Sequence, residues 1–180
     1  TMPAEPDLWT ILDVVRWTTR FFTSHDIESP RMSAELLLAH VLGVGRLDLY
    51  LQFDRPLLPE ELNAFRTLLK RRAGREPLQH VMGASAFREL ELVVDARALI
   101  PRPETEVLVE EILGWARETG ASELTAADIG TGTGAIALSL LREGPFQRVV
   151  ATDPSPSALT LARENARRLG MEDSVEFRRG

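Results

Sequence analysis

The stretch DIGTGTGA, Asp128 to Ala135, sets Gly130, Gly132 and Gly134 at alternate positions behind an acid. Leu124 to Ile129 before it is a short apolar run of β character, and Ala135 to Arg142 after it is an apolar run of helical length. Where a parallel strand passes into a helix, the first helical N–H groups point outward and glycine lets a ligand approach them closely. Continuing outward, the pattern predicts a strand at Val149–Thr152, a helix at Ser157–Leu169 and a strand at Ser174–Phe177. Strands alternating with helices imply an α/β fold with parallel strands and crossover helices.

Asp153 closes the second of these strands, 19 residues after Gly134, where an acid can accept both hydroxyls of a ribose. Glycines alone could serve a tight turn, but strand, helix and distal acid together point to a bound nucleoside. The spacing also satisfies the loose dinucleotide pattern, so an NAD-dependent oxidoreductase stays open as a reading. Two features disfavour it. Asp128 would repel a pyrophosphate and suits a ligand bearing an ammonium or sulfonium, such as S-adenosylmethionine. A dinucleotide fold also usually begins with this strand, whereas here over a hundred residues precede it. A P-loop is excluded because Lys70, the one lysine, lies far from any such loop.

Toward the N-terminus the period is helical. The spacing predicts a helix from Asp7, its cap, to about Ser24, with Leu8, Ile11, Leu12, Val15, Phe21 and Phe22 apolar. A second opens on Ser29-Pro30 and stops at Gly43, a short third covers Leu47 to Phe53, and a fourth opens at Pro59 with Leu62, Phe65, Leu68 and Leu69 in one stripe. Lys70, Arg71, Arg72 and Arg75 read as a solvated helix end. Ala86-Phe87 and Leu90 to Val94, with Arg88-Glu89 between them, read as a β-hairpin. A further helix follows Pro101-Arg102-Pro103 and is closed by Gly120. The division this suggests is a helical bundle at residues 1–78, a hairpin linker at 79–100 and the start of a nucleoside-binding domain at 101–180.

Composition narrows the partners. Of 27 acids and 21 bases, 16 acids and 11 bases follow Leu78, and the net charge of −6 gives no basic field for nucleic-acid backbones. With no cysteine, disulfides, thiolate metal sites and cysteine nucleophiles are excluded. No run approaches the ~18 apolar residues of a membrane span, and a cytoplasmic location is expected. His25, His40 and His80 lie on separate elements, with His40 expected in a core, and no metal site is foreseen. Trp9, Trp17 and Trp115 are expected to be core or contact residues.

Several blocks are specific in combination: REPLQHVMG (Arg75–Gly83), LIPRPETE (Leu99–Glu106), DIGTGTGAIAL (Asp128–Leu138), ATDPSPSAL (Ala151–Leu159) and SAELLLAHVLG (Ser33–Gly43). Together they resemble the HemK/PrmC family of glutamine methyltransferases that modify peptide-chain release factors. The resemblance implies a helical N-terminal domain that recognises the protein substrate, a hairpin linker and a Rossmann-like S-adenosylmethionine-dependent domain. It implies that the loop of Gly130, Thr131, Gly132, Thr133 and Gly134 wraps the methionine part of the cofactor. Asp153 would hold the ribose, and Arg102 and Thr105 would line the amino-acid end of the pocket.

The family's acceptor is the side-chain amide of the glutamine in a Gly-Gly-Gln motif, aimed by an Asn-Pro-Pro-Tyr motif after the fourth strand. Asn63 and Asn165 are the asparagines of these 180 residues and neither lies in such a motif. The chain therefore reads as the N-terminal part of a methyltransferase, through its third strand, with no catalytic residue of its own and expected to be inactive alone. A non-catalytic partner-binding module on a nucleoside-binding scaffold is the competing reading.

Overall fold

The computed structural model describes residues 9–180. The chain divides into two compact units, one ending at Met82 and one beginning at Gly83.

The first unit is helical. Helix α1 (Ile11–Ser24) starts with a reciprocal cap: the Thr10 hydroxyl accepts the Asp13 N–H at 3.2 Å, and the Asp13 carboxylate accepts the Thr10 N–H at 3.2 Å. The expected cap, Asp7, and Leu8 lie outside the described residues. The buried stripe is Ile11, Val14, Thr18 and Phe22, whereas Leu12, Val15 and Phe21 are only half-buried. Reading apolar residues alone put the stripe out of phase, because Thr18 occupies a core position.

Helix α2 (Pro30–Leu42) has proline in its first turn and stops at Gly43, whose φ of 65° is a left-handed end. Ser29 occupies the cap position with φ 47°, and its side chain caps nothing. Helix α3 (Asp48–Leu51) is shorter than expected. Helix α4 (Pro59–Ala73) buries Phe65 and Leu69 from the expected stripe.

Arginines at the end of α4 are not merely solvated. Arg71 donates to Glu76 and to the carbonyls of His80 and Val81, and Arg72 donates to the carbonyl of Glu76. These bonds fold the chain back into a short helix α5 (Leu78–Met82), where the sequence reading placed the start of the hairpin region. Burial holds the Arg72 guanidinium below its usual pKa. His40 is exposed, against the expectation of a core histidine: it falls on the outer side of α2. Trp9, Trp17 and Phe21 form an aromatic row with His25 tilted on Phe21.

The second unit opens with the hairpin, β1 (Ala84–Phe87) and β2 (Leu90–Val93), joined at Arg88-Glu89. Phe87, Leu90, Leu92 and Val94 belong to its core. Helix α6 (Pro103–Thr119) follows, capped at Gly120, and leaves Trp115 54% exposed, so this tryptophan is not a core residue of its unit. Strands β3 (Leu124–Ile129), β4 (Phe146–Asp153) and β5 (Val175–Arg179) form a parallel sheet in that order. Helices α7 (Ala135–Glu143) and α8 (Pro156–Arg168) make the crossovers. In α7, Ala135, Ala137, Leu138, Ser139 and Leu140 are all buried, the near-continuous apolar run of a helix pressed on a sheet. The register sets Asp128 beside Ala151 and Ile129 beside Thr152, so the carboxyl ends of β3 and β4 finish together. Among the described residues, β3 is paired on one side only.

Candidate functional site

At the end of β3 the chain leaves the sheet in a turn built on its glycines. Gly130, Gly132 and Gly134 take φ of 80°, 55° and 85°, a region that residues with a Cβ rarely adopt. The three positions differ in surroundings. A Cβ on Gly134 would sit 3.2 Å from Leu138 and 3.4 Å from Ala162, so this glycine lets α7 and α8 pack closely. Among the described residues a Cβ on Gly130 would meet nothing within 4 Å, and one on Gly132 only Ala98 at 4.0 Å. Those two keep the outer surface of the loop bare.

The loop is fixed from beneath. The N–H groups of Gly130 and Thr131 both donate to the Thr152 carbonyl, at 2.9 and 2.8 Å, and Gly134 N–H donates to the Thr131 carbonyl at 2.8 Å. Asp128 Oδ2 accepts the Thr131 hydroxyl at 2.7 Å and the Ala137 N–H at 3.2 Å. The acid thus joins the strand end, the loop and the first turn of α7. Asn165 of α8 donates to the Thr133 carbonyl at 2.9 Å and exchanges two bonds with Val93, tying the loop to the hairpin.

Asp153 is 8% exposed at the end of β4. Its Oδ2 accepts the Gly132 N–H at 3.0 Å and its Oδ1 the Ser155 N–H at 2.9 Å. The carboxylate is oriented by backbone, and each oxygen retains capacity for a second donor. Burial pushes the Asp128 carboxyl above its ordinary pKa; the charge of Asp153 adds to this, while the bonds from Thr131 and Ala137 oppose it. Two acids beneath one bare loop give a site of negative potential, which suits a cationic ligand and repels a pyrophosphate.

The structure brings Asp128, Gly130, Thr131, Gly132, Thr133, Gly134 and Asp153 into one constellation, with Thr131 and Thr133 buried inside the loop. Arg102 and Thr105 stand apart from it in their contacts. Arg102 is the exposed cap residue of α6, its carbonyl accepting the Thr105 N–H at 3.0 Å, and neither side chain bonds to the loop among the described residues. Sequence reasoning missed Asn165 and Ala98. The available signal for Asn165 was a lone amide on the apolar face of a helix; Ala98 gave none. Among the described residues no group of His, Asp or Glu could hold a metal ion, and no helix is long and apolar enough to cross a membrane.

Comparison with known proteins finds two family matches along the chain. Residues 13–83 match the PrmC N-terminal domain family and residues 126–180 match a methyltransferase domain family. A release factor glutamine methyltransferase from Geobacter sulfurreducens is 44% identical over 169 residues, covering 94% of this chain and 58% of that protein. Proteins of the same description from Chlorobaculum tepidum and Rhodopirellula baltica are 41% and 40% identical, covering 98% and 93% of this chain and 60% and 57% of theirs. The chain thus spans less than two thirds of the length of these relatives. Among solved structures, an RNA methyltransferase from Salinibacter ruber in complex with S-adenosyl-L-homocysteine is 32% identical over 45% of this chain and 50% of that one, with a TM-score of 0.37. A match to the PrmC N-terminal domain thus lies ahead of a match to a methyltransferase domain that includes the glycine loop, and over nearly all of its residues the chain is similar to proteins described as release factor glutamine methyltransferases.

Proposed function

We propose that this chain is part of an enzyme that methylates the side-chain amide nitrogen of the Gly-Gly-Gln glutamine of peptide-chain release factors, with S-adenosylmethionine as cofactor. The observation that carries the reading is the bare glycine loop held over two buried acids, Asp128 and Asp153. Similarity to release factor glutamine methyltransferases over nearly the whole chain supports the substrate class.

The residues present fit the cofactor. Asp153, held by the N–H groups of Gly132 and Ser155, offers its remaining lone pairs to a pair of ribose hydroxyls. Gly130 and Gly132 leave room for close approach to the loop backbone, and Asp128 supplies negative potential for an amino-acid ammonium or a sulfonium. Arg102 and Thr105 belong to the proposed pocket only through the family pattern. S-adenosylmethionine supplies an electrophilic methyl on a positively charged sulfur. What these residues do is bind and orient: a glutamine amide is a weak nucleophile, so alignment for in-line displacement must supply much of the rate.

Calorimetry on the 180-residue chain tests the cofactor assignment. S-adenosylhomocysteine is expected to bind and NADH not, with Asp153→Asn weakening the former about tenfold or more, since hydrogen bonds to a charged group contribute ~1.5–3 kcal/mol. Binding of NADH in preference to S-adenosylhomocysteine would overturn it. For the longer protein, incubation with a release factor is expected to add one methyl to the glutamine; transfer to any other residue alone would overturn the substrate assignment.

A further inference from the structure

We propose that a groove on α1 of the helical unit is the docking site for an acidic, amphipathic segment of the protein substrate, an inference that rests on the protein-substrate reading above. The groove has a volume of about 380 Å³ and is lined by Leu12, Val15, Arg16, Thr19, Arg20 and Arg31. Arg16 and Arg20 are exposed, lie one turn apart on α1 and form no ion pair or side-chain hydrogen bond among the described residues. Arg31 is held in place from the first turn of α2: its Nε donates to Glu35 at 2.8 Å and its Nη2 to the Tyr50 hydroxyl at 3.3 Å. Among the described residues no acid lines the groove, although the chain as a whole carries a net charge of −6.

The floor chooses the class of partner. Leu12, Val15 and Thr19 are half-buried, and the Thr19 hydroxyl donates back to the Val15 carbonyl at 2.7 Å, so its proton is already used within the helix. An apolar floor rimmed by cations fits a helix presenting apolar residues with carboxylates on either side. Nucleic acid would use the cations and leave the floor without a partner, and among the described residues no aromatic residue lines the groove to stack a base. Residues four apart on α1 are neighbours on its surface, so Arg16 and Arg20 match two carboxylates with the same spacing on a partner helix.

The test uses the 180-residue chain and fluorescence anisotropy. The probe is a synthetic helical peptide with leucines flanked by two glutamates four residues apart, together with its glutamine counterpart. The glutamate peptide is expected to bind about tenfold or more tightly than the glutamine one. Arg16→Glu/Arg20→Glu is expected to abolish that binding, and Arg167→Glu/Arg168→Glu, the same change in net charge in the second unit, to leave it intact. Should the first pair perturb folding, Arg16→Gln/Arg20→Gln replaces it.

Equal binding of the two peptides, equal loss in the two double variants, or preference for a single-stranded RNA oligonucleotide that competes with the peptide would each overturn the proposal. A release factor is then titrated against the same proteins. Binding lost only with Arg16 and Arg20 supports the site, and binding that ignores them overturns it. If the peptide results hold while the unsubstituted chain binds no release factor, the groove stands and the substrate assignment falls.

Discussion

Asp128 is held where its charge is costly. Its folded pKa lies above the ordinary carboxylate value because the group is buried, so between those two values the native state keeps a proton that the unfolded chain has already released, and above them it is charged. Stability therefore falls as pH rises from the ordinary carboxylate value through the raised one, and is level above it. Asp128→Asn keeps an acceptor for Thr131 and Ala137 while removing the charge. It is expected to raise the thermal midpoint at neutral pH by ~2–4 °C, on the order of 1 kcal/mol, with the gain shrinking toward acidic pH. The same variant is expected to weaken S-adenosylhomocysteine binding, and scanning calorimetry with ligand titration at several pH values checks both. Glycine substitutions separate along the loop: Gly134→Ala must accommodate both a φ of 85° and a contact at 3.2 Å, whereas Gly130→Ala meets only the strained backbone. Denaturant unfolding is expected to show a loss of ~1 kcal/mol at Gly130 and more at Gly134.

At the scale of elements, two side chains fasten the hairpin. Arg88, in the turn between β1 and β2, donates to Glu143 on α7 and to Glu110 and the Glu106 carbonyl on α6. These carboxylates hold its guanidinium above the usual arginine range. Glu143 has a side chain only 9% exposed, so Arg88→Met leaves a buried charge unpaired and is expected to cost ~3 kcal/mol by denaturant unfolding. Asn165→Leu removes three bonds and strands the Val93 N–H and the Thr133 carbonyl; a loss of ~2–3 kcal/mol is expected, with cofactor affinity falling because the loop loses its tether. Local sequence already carried much of this level: the strand at Leu124–Ile129, the helix from Ala135 and the turn at Arg88-Glu89 lie where periodicity and turn chemistry set them. What was illegible depends on tertiary partners. Arg71 looked like a solvated charge because its acceptors, the carbonyls of His80 and Val81, exist only once the chain turns back. Arg102 and Thr105, named from a family pattern, have no local reason to meet the loop.

At the scale of the whole molecule, the division at Met82 and Gly83 separates two kinds of work proposed here, partner recognition and cofactor binding. In the longer protein, removal of residues 1–75 is expected to raise KM for a release factor several-fold more than KM for S-adenosylmethionine; steady-state kinetics with each substrate varied in turn would show equal changes if the helical unit were only a scaffold. The three tryptophans are divided in the same way, with Trp9 and Trp17 in the first unit and Trp115 in the second. Trp9 is 6% exposed and Trp115 is 54% exposed, so their emission will differ in colour and in access to a soluble quencher such as acrylamide. A Trp115→Phe protein would emit from the helical unit alone, and a Trp9→Phe/Trp17→Phe protein from the methyltransferase unit alone. The chain thus carries an intrinsic optical label on each half, by which the melting of one can be timed against the melting of the other without attaching a dye.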